Sequence, residues 1–372
     1  ESVLSSTRND IELIVSNNHS SDLTANILSK ISDPRLKIVS PSVVLPMAGH
    51  YEFALNHASG NWITILGDDD ALMPYFFESL DEYIQKYPGI DIVSSERAYY
   101  FWEGCEDFYG DNVFSYSSMK SSKLRSTKKD LMSVLQGLRS CYDMPQIYTT
   151  CIVKKALFEE IKLKCGSYFY HSIIPDMYSI VALCFSREKY LRVDEPLFWV
   201  GTSEKSMGRS DRIYKDADGF KGNLDKEYAN VPKKISKDIS YILHSNEFSP
   251  LYIYECVLQC PLTDDFYKKN EIKKIVLSAI FNLIKTRTKS EKLLLEKEIY
   301  KECKKNSISQ INLYLCSFNL KLKKLFFYFI SLPGRFLRKF KNLNKLHSNQ
   351  RHNFQTILDA SIAINKLICK NK

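Results

Sequence analysis

One stretch constrains this chain more than any other. Trp62-Ile63-Thr64-Ile65-Leu66 is a compact β-rich run bounded by Gly60 and Gly67, and it delivers three consecutive acids, Asp68, Asp69 and Asp70, to its C-terminal end. Directly afterwards Pro74 opens a predicted helix whose apolar positions Phe77, Leu80, Ile84 and Tyr87 recur at helical spacing before Pro88 stops it. The same alternation runs on either side. Ile11 to Val15 reads as a strand ended by the polar cluster Ser16 to Asp22, Leu23 to Ile31 suits a helix, Leu36 to Val39 a strand, His50 to Ala58 a helix closed by Gly60, and Ile90 to Ser94 a strand. Short strands alternating with helices predict an α/β fold, a mainly parallel mixed sheet with flanking helices.

Further along, Phe101 to about Lys129 is aromatic and Ser-rich without clear period, which predicts loops over the sheet edge. Leu131 to Leu138, Lys154 to Ile161 and Asp176 to Phe185 read as helices, and Tyr190 to Val193 as a strand followed by Glu195 to Val200. Beyond about Arg209 the composition shifts towards Lys, Ile, Leu and Asn. Residues 1–210 carry 21 Lys and Arg against 27 Asp and Glu, whereas 211–372 carry 31 against 16. The chain therefore divides into an acidic α/β part and a basic, mostly helical part, and only the second suits an anionic partner. Hydrophobic residues at 44% and charged residues at 26% exclude wholesale disorder and a polytopic membrane protein. The ten cysteines are scattered without a CxxC pair, as expected of buried or incidental thiols in a reducing cytosol.

Three acids in a row after a buried strand repel one another unless positive charge sits among them, and a divalent cation meets that need. Mg²⁺ or Mn²⁺ takes oxygen ligands and is commonly held by one or two carboxylates with substrate phosphates, so the position suits a nucleotide diphosphate. A solvated acidic turn is the alternative. Placement at the C-terminal end of a strand, beside a helix start, favours the crevice where open α/β sheets bind ligands. At the end of the first strand, Asn17 and Asn18 carry amides that can pair with the edge of a nucleobase, and Asp22 can cap the next helix or bind a ribose hydroxyl. An ordinary Asx turn and helix cap account for each of them equally well.

The succession Ile11-Glu12-Leu13-Ile14-Val15-Ser16-Asn17-Asn18-His19-Ser20-Ser21-Asp22, followed by Ala58-Ser59-Gly60-Asn61-Trp62-Ile63-Thr64-Ile65-Leu66-Gly67-Asp68-Asp69-Asp70, resembles glycosyltransferase family 2, inverting enzymes of the GT-A fold. The resemblance covers roughly residues 1–210 and is strongest up to Pro74. It implies a Rossmann-like GT-A domain over 1–210, with a nucleotide-binding half at 1–100 and an acceptor half at 101–210, whose first strand would precede Glu1. It also implies roles. Asp69 and Asp70 would hold the metal, with Asp68 towards the ribose. Asn17 stands where the family often has a base-contacting Asp, and an amide, both donor and acceptor, leaves the base open. Asp176 occupies the family's place for a catalytic carboxylate at a helix start, which takes the acceptor proton. A positive helix end lowers such a pKa, so basicity near neutrality must come from burial. Glu195 is the second candidate. Gly201-Thr202-Ser203 replace the family's frequent His, leaving Ser203 or Ser206 as weaker metal or phosphate contacts.

From Cys303 to Leu358 no acid occurs, against eleven Lys or Arg. Within it, residues 320–346 interleave Lys and Arg with Leu and Phe, which fits an element lying on an anionic membrane surface, divided into two helices by Pro333-Gly334. A helical pair packed on the catalytic domain fits equally well. Its longest apolar run, Leu325 to Leu332, is eight residues, too short to cross a bilayer of about 30 Å. No recognised motif accompanies the charge, so no nucleic acid is expected. The reading is a cytoplasmic enzyme, peripheral at the inner face of the cell membrane. It would move a sugar, with inversion and a divalent cation (Mn²⁺ or Mg²⁺), from a nucleotide-diphosphate-sugar donor to a glycan or lipid-linked acceptor in cell-surface polysaccharide biosynthesis. The rivals are a nucleotidyltransferase using the same acids and a degenerate, membrane-anchoring relative.

Overall fold

The computed structural model describes residues 1–103, 114–115, 120–172, 174–203, 248–341 and 356–362. In chain order the first half holds β1 (Leu13–Ser16), α1 (Thr24–Leu28), β2 (Leu36–Val39), α2 (Met47–Asn56), β3 (Trp62–Ile63), β4 (Ala71–Leu72), α3 (Phe76–Lys86) and β5 (Ile92–Phe101). There follow β6 (Phe114–Ser115), β7 (Ser122–Ser126), α4 (Thr127–Leu135), β8 (Cys151–Lys154), α5 (Lys155–Lys164), α6 (Pro175–Ser186) and β9 (Lys189–Thr202). After them come α7 (Ser249–Gln259), α8 (Asp265–Lys268), α9 (Asn270–Leu283), α10 (Lys289–Lys305) and α11 (Gln310–Lys341), and residues 357–362 are helical as well.

The fold is mixed α/β with a central sheet flanked by helices, and its C-terminal region is helical, as the sequence leads one to expect. The sheet is less parallel than its rhythm predicts. Its main path runs β3-β8-β5-β9-β4, with β6 on β5 and β7 on β9, while β1 and β2 pair separately. Among the described residues only β1–β2 and β5–β9 are parallel ladders; the other ladders are antiparallel. The reason is burial on both faces. Ile92 and Val153 enter the core beneath α4, α5 and α6, and their strand neighbours Val93 and Ile152 enter the core beneath α3. Such strands read as continuous apolar runs whichever way they point, so hydrophobicity reports burial and not direction.

Other expectations shift locally. The Phe101–Lys129 stretch contributes β6 and β7 rather than loops alone, and β7 zips against β9. Glu195 to Val200 is part of one long strand, β9, which bulges against β5 at Glu96. The Pro333-Gly334 break does not occur: α11 runs through both residues, because a proline withholds one helical hydrogen bond without removing those of adjacent turns. No helix among the described residues is long and apolar enough to cross a membrane. Residue 206, the proposed boundary near 210 and residues 342–346 lie outside the described residues.

The helical region is joined to the α/β layers through α7. Its Leu251, Ile253 and Val257 are fully buried in one core with Ile180 and Leu183 of α6 and Leu131 of α4. Burial of each such side chain contributes about 1.5–3 kcal/mol. Helix α10 begins with a capping box in which Thr288 and Glu291 satisfy each other's backbone N–H groups.

A charged cluster closes the same layer. Asp130 of α4, almost wholly enclosed, accepts hydrogen bonds from Arg125 and from the Tyr190 hydroxyl, with Arg139 3.5 Å away. Burial by itself would raise this carboxyl, but the donors and guanidinium charges prevail and hold it below its ordinary 3.8. Because the folded value lies below the unfolded one, the stabilisation is present above about pH 4 and is lost as the pH falls through the depressed value. Asp130→Asn should therefore lower the melting temperature at neutral pH and flatten its fall below about pH 4. Circular-dichroism melts across that range check both.

Candidate active site

Strands β3 and β4 sit at opposite ends of the main sheet path, so the few residues between them must cross the sheet's end. That crossing carries the acids. The predicted strand Trp62–Leu66 is shorter than its composition suggests: after Ile63 it continues through an isolated bridge from Ile65 to Tyr148, and Thr149 donates its N–H to the Ile65 carbonyl. The turn then closes on itself. Gly67 N–H donates to Asp70 Oδ2 at 2.8 Å, and Asp70 N–H donates to the Gly67 carbonyl at 3.3 Å. Gly67 is required for space: a Cβ there would overlap the Tyr148 hydroxyl and press on Asp70 Oδ2.

The three acids are not equivalent. Asp68 is exposed. Asp69 gives its carbonyl to Trp102 Nε1 at 2.9 Å and its Oδ2 to the Ser203 hydroxyl at 3.2 Å. Asp70 uses Oδ1 to accept Gly201 N–H of β9 at 2.8 Å, so one carboxylate ties the turn to the far strand. Burial, and then repulsion from Asp69, push Asp70 up to about 7 despite the Gly201, Gly67 and Tyr148 donors that favour its charged form.

Asp176 lies in the first turn of α6, behind Pro175. Gln146 Nε2 donates to its Oδ2 at 2.8 Å, and Gln146 Oε1 accepts from Arg97 Nη2 at 2.7 Å. The arginine, in β5, lies with its guanidinium carbon 4.9 Å from the Tyr142 ring centroid. Burial raises Asp176 above its ordinary value, against the Met177 N–H, Arg97 and Gln146. Burial therefore outweighs the helix end here, the direction a base near neutrality requires.

Two tyrosines join these acids. Tyr51 of α2 stacks on Tyr148 with ring centroids 6.0 Å apart, and Tyr170 meets Tyr51 edge-on at 5.9 Å. The Tyr51 phenol is pushed up by burial and then by Asp176, Asp70, Asp69 and Asp68, and the Tyr148 phenol by burial and then by Asp70, Tyr51, Asp69 and Asp176. Both acidic elements, a hundred residues apart in sequence, thus act on one aromatic pair. Helix α2 is fixed from two sides: His50 Nε2 lies 2.7 Å from Ser16 Oγ at the end of β1, and Glu52 Oε2 accepts Phe169 and Tyr170 N–H.

The first-strand candidates have local partners. Asn17 Oδ1 accepts Ser20 N–H, Asn18 exchanges two hydrogen bonds with the Leu45 backbone, and Asp22 Oδ1 receives both Thr24 N–H and Thr24 Oγ1. Of the later candidates, Glu195 accepts the Tyr83 hydroxyl at 3.2 Å as part of β9, and Ser203 contacts Asp69 directly. Sequence reasoning missed Tyr51, Tyr148 and Gln146, which carry no periodic or spacing signal. Arg97 did carry one, a charge inside an apolar strand.

No group of three or more His, Cys, Asp or Glu among the described residues forms a cation cage. The Asp69–Asp70 pair nevertheless fits a Mg²⁺ or Mn²⁺ ion shared with substrate phosphates: its oxygens are the right donors, and the repulsion between the two carboxylates is what a divalent charge relieves.

Comparison with known proteins gives three findings. Residues 1–143 match the family model described as glycosyl transferase family 2. An uncharacterized glycosyltransferase of Haemophilus influenzae is 31% identical over 96 residues, which are 25% of this chain and 30% of that protein. Crystal structures of S. aureus TarS 1–349 in complex with UDP-GlcNAc and with UDP each superpose with a TM-score of 0.42 at 13% identity, over 84% of this chain and 83% of theirs.

Gly67→Ala should displace Tyr148 and Asp70 and destabilise the fold by about 1–3 kcal/mol. Adding Tyr148→Phe removes the obstructing oxygen, so the double variant should recover part of that loss. Denaturant unfolding of the single and double variants provides the measurement.

Proposed function

We propose that this chain is an inverting, metal-dependent glycosyltransferase that passes a sugar from a nucleotide-diphosphate sugar to a hydroxyl of a glycan or lipid-linked acceptor in cell-surface polysaccharide assembly, working at the cytoplasmic face. The observation that carries the reading is the stacked Tyr51–Tyr148 pair, whose Tyr148 hydroxyl sits against the Gly67–Asp70 turn and which lies in the field of Asp69, Asp70 and Asp176 together. The family match over residues 1–143, which includes the acidic turn, supports the reaction class.

In this reading Asp69 and Asp70 hold the cation, which when bound neutralises negative charge on the donor diphosphate. Asp68 receives a ribose hydroxyl, and the Asn17 and Asn18 amides and Asp22 line the nucleoside end. The Gly67–Asp70 turn is pre-set by its own hydrogen bonds and by Gly201, so little ordering is needed when the donor arrives. Asp176 takes the proton of the acceptor hydroxyl as that oxygen bonds to the anomeric carbon, and the bond from that carbon to the diphosphate oxygen breaks on the opposite side. Nucleoside diphosphate departs with the bonding electrons. Gln146 engages Asp176 Oδ2 and is itself steered by Arg97, so the carboxylate that takes the proton is held in orientation.

Asp176→Asn should lower kcat on the order of 10²–10⁴-fold while leaving calorimetric donor binding unchanged. Asp69→Ala should abolish the Mn²⁺-dependent part of donor binding. Because the Asp176 pKa is raised and a base works only when ionised, the rate should climb with pH through a limb displaced above 3.8, and the Asn variant should lack that limb. Pyrophosphate as the released product, or full turnover by Asp176→Asn, would refute the assignment.

A further inference from the structure

Over residues 310–326, helix α11 is docked along one side. Leu313, Ser317 and Leu320 are buried against the body, Ser317 exchanges hydrogen bonds with Asn282 of α9, and Tyr314 lies edge-on to Phe281. The opposite side presents Ile311, Leu315, Phe318, Leu322, Leu325 and Phe326, each about half exposed or more. Steps of four and three residues alternate from Ile311 to Leu325, with Phe326 four beyond Leu322, so at about 100° per residue they fill an arc of roughly 100° opposite the buried row. The first half of the helix therefore has two apolar faces, and the body covers one of them. The sequence reading set the start of this element at residue 320; the exposed stripe begins a full two turns earlier.

The charge around the stripe decides what can cover it. Helix α11 contains seven Lys and Arg and no acid. Lys323 is exposed on one flank of the stripe, and on the other Lys321 stands against Lys285, which follows α9, with Lys292 nearby. That proximity is costly: contact with Lys321, followed by burial, pulls the Lys285 ammonium below its ordinary value, although Glu296 opposes the shift and the ammonium lies 5.5 Å from the Phe281 ring centroid. A second copy of this helix would bring the same unrelieved charge against itself. An anionic surface would relieve it.

We infer that the Ile311–Phe326 face of α11 is a docking surface for an anionic lipid bilayer, with the apolar stripe entering the headgroup region and Lys285, Lys321 and Lys323 meeting lipid phosphates. An amphipathic helix lying in the interface plane has this distribution of residues. The basic residues gather it to the surface, and the stripe holds it there. The inference stands apart from sugar transfer, because no residue of the acidic site takes part in it.

The full chain is tested by co-sedimentation with vesicles of phosphatidylcholine alone and of phosphatidylcholine mixed with phosphatidylglycerol. Binding should appear only with the mixed vesicles and weaken as salt rises. Leu315→Glu with Leu322→Glu should abolish it, and Lys321→Gln and Lys323→Gln together should reduce it about tenfold. All these positions but Lys321 are exposed, so circular-dichroism melts of the variants should match the parent chain. Three results overturn the proposal: no binding to mixed vesicles, equal binding to both kinds, or a soluble oligomer by light scattering that Leu322→Glu dissociates, which would make a second copy the occupant.

Discussion

The Asp70 carboxylate holds the acidic turn together. It accepts an N–H from Gly67 on its own turn and one from Gly201 on a strand at the other end of the sequence domain, with the Tyr148 hydroxyl as a further donor. The crossing from β3 to β4 leaves the sheet ladder, so its backbone groups would lie unpaired at a buried sheet end without such an acceptor. One buried charge thus does three things at once: it closes the turn, anchors it to β9 and sets the neighbouring Asp69 where repulsion between the two is strong. The last of these makes the turn a site as well as a joint.

The energetic balance around that carboxylate explains the aromatic company. Burial and Asp69 both oppose ionisation, and backbone donors oppose that trend without cancelling it. Tyr51, Tyr148 and Tyr170 pack together beside the turn, and the low polarity of their rings strengthens the electrostatic interactions next to them. Asp176 faces the same conditions through α6, with Gln146 and Arg97 fixing its carboxylate. Both acids are raised by burial, but Asp70 is tied to its own turn and to β9, whereas Asp176 sits at a helix start with Gln146 and Arg97 behind it.

The C-terminal helices follow another logic. Helix α7 is part of the main core, so this region is continuous in packing with the α/β layers, although its charge is opposite to theirs. Positive charge increases along the sequence of these helices and culminates in α11, where apolar surface remains outside. Core packing alone does not account for such a residue pattern.

The alternating strands and helices, the acids at a strand end and the helix starting near Asp176 were all legible in the amino-acid order, because burial period, turn residues and like-charge repulsion act between near neighbours. So was the basic character of α11. Strand direction was not, since Ile92 and Val153 are apolar for the same reason in either orientation. Nor could sequence separate the three aspartates, whose difference arises from Gly201 and Ser203, more than a hundred residues away. The meeting of Asp70 and Asp176 about Tyr51 and Tyr148, and the choice of which face of α11 stays outside, were decided only by tertiary packing. Each depends on contacts between segments whose separation along the chain leaves no local trace.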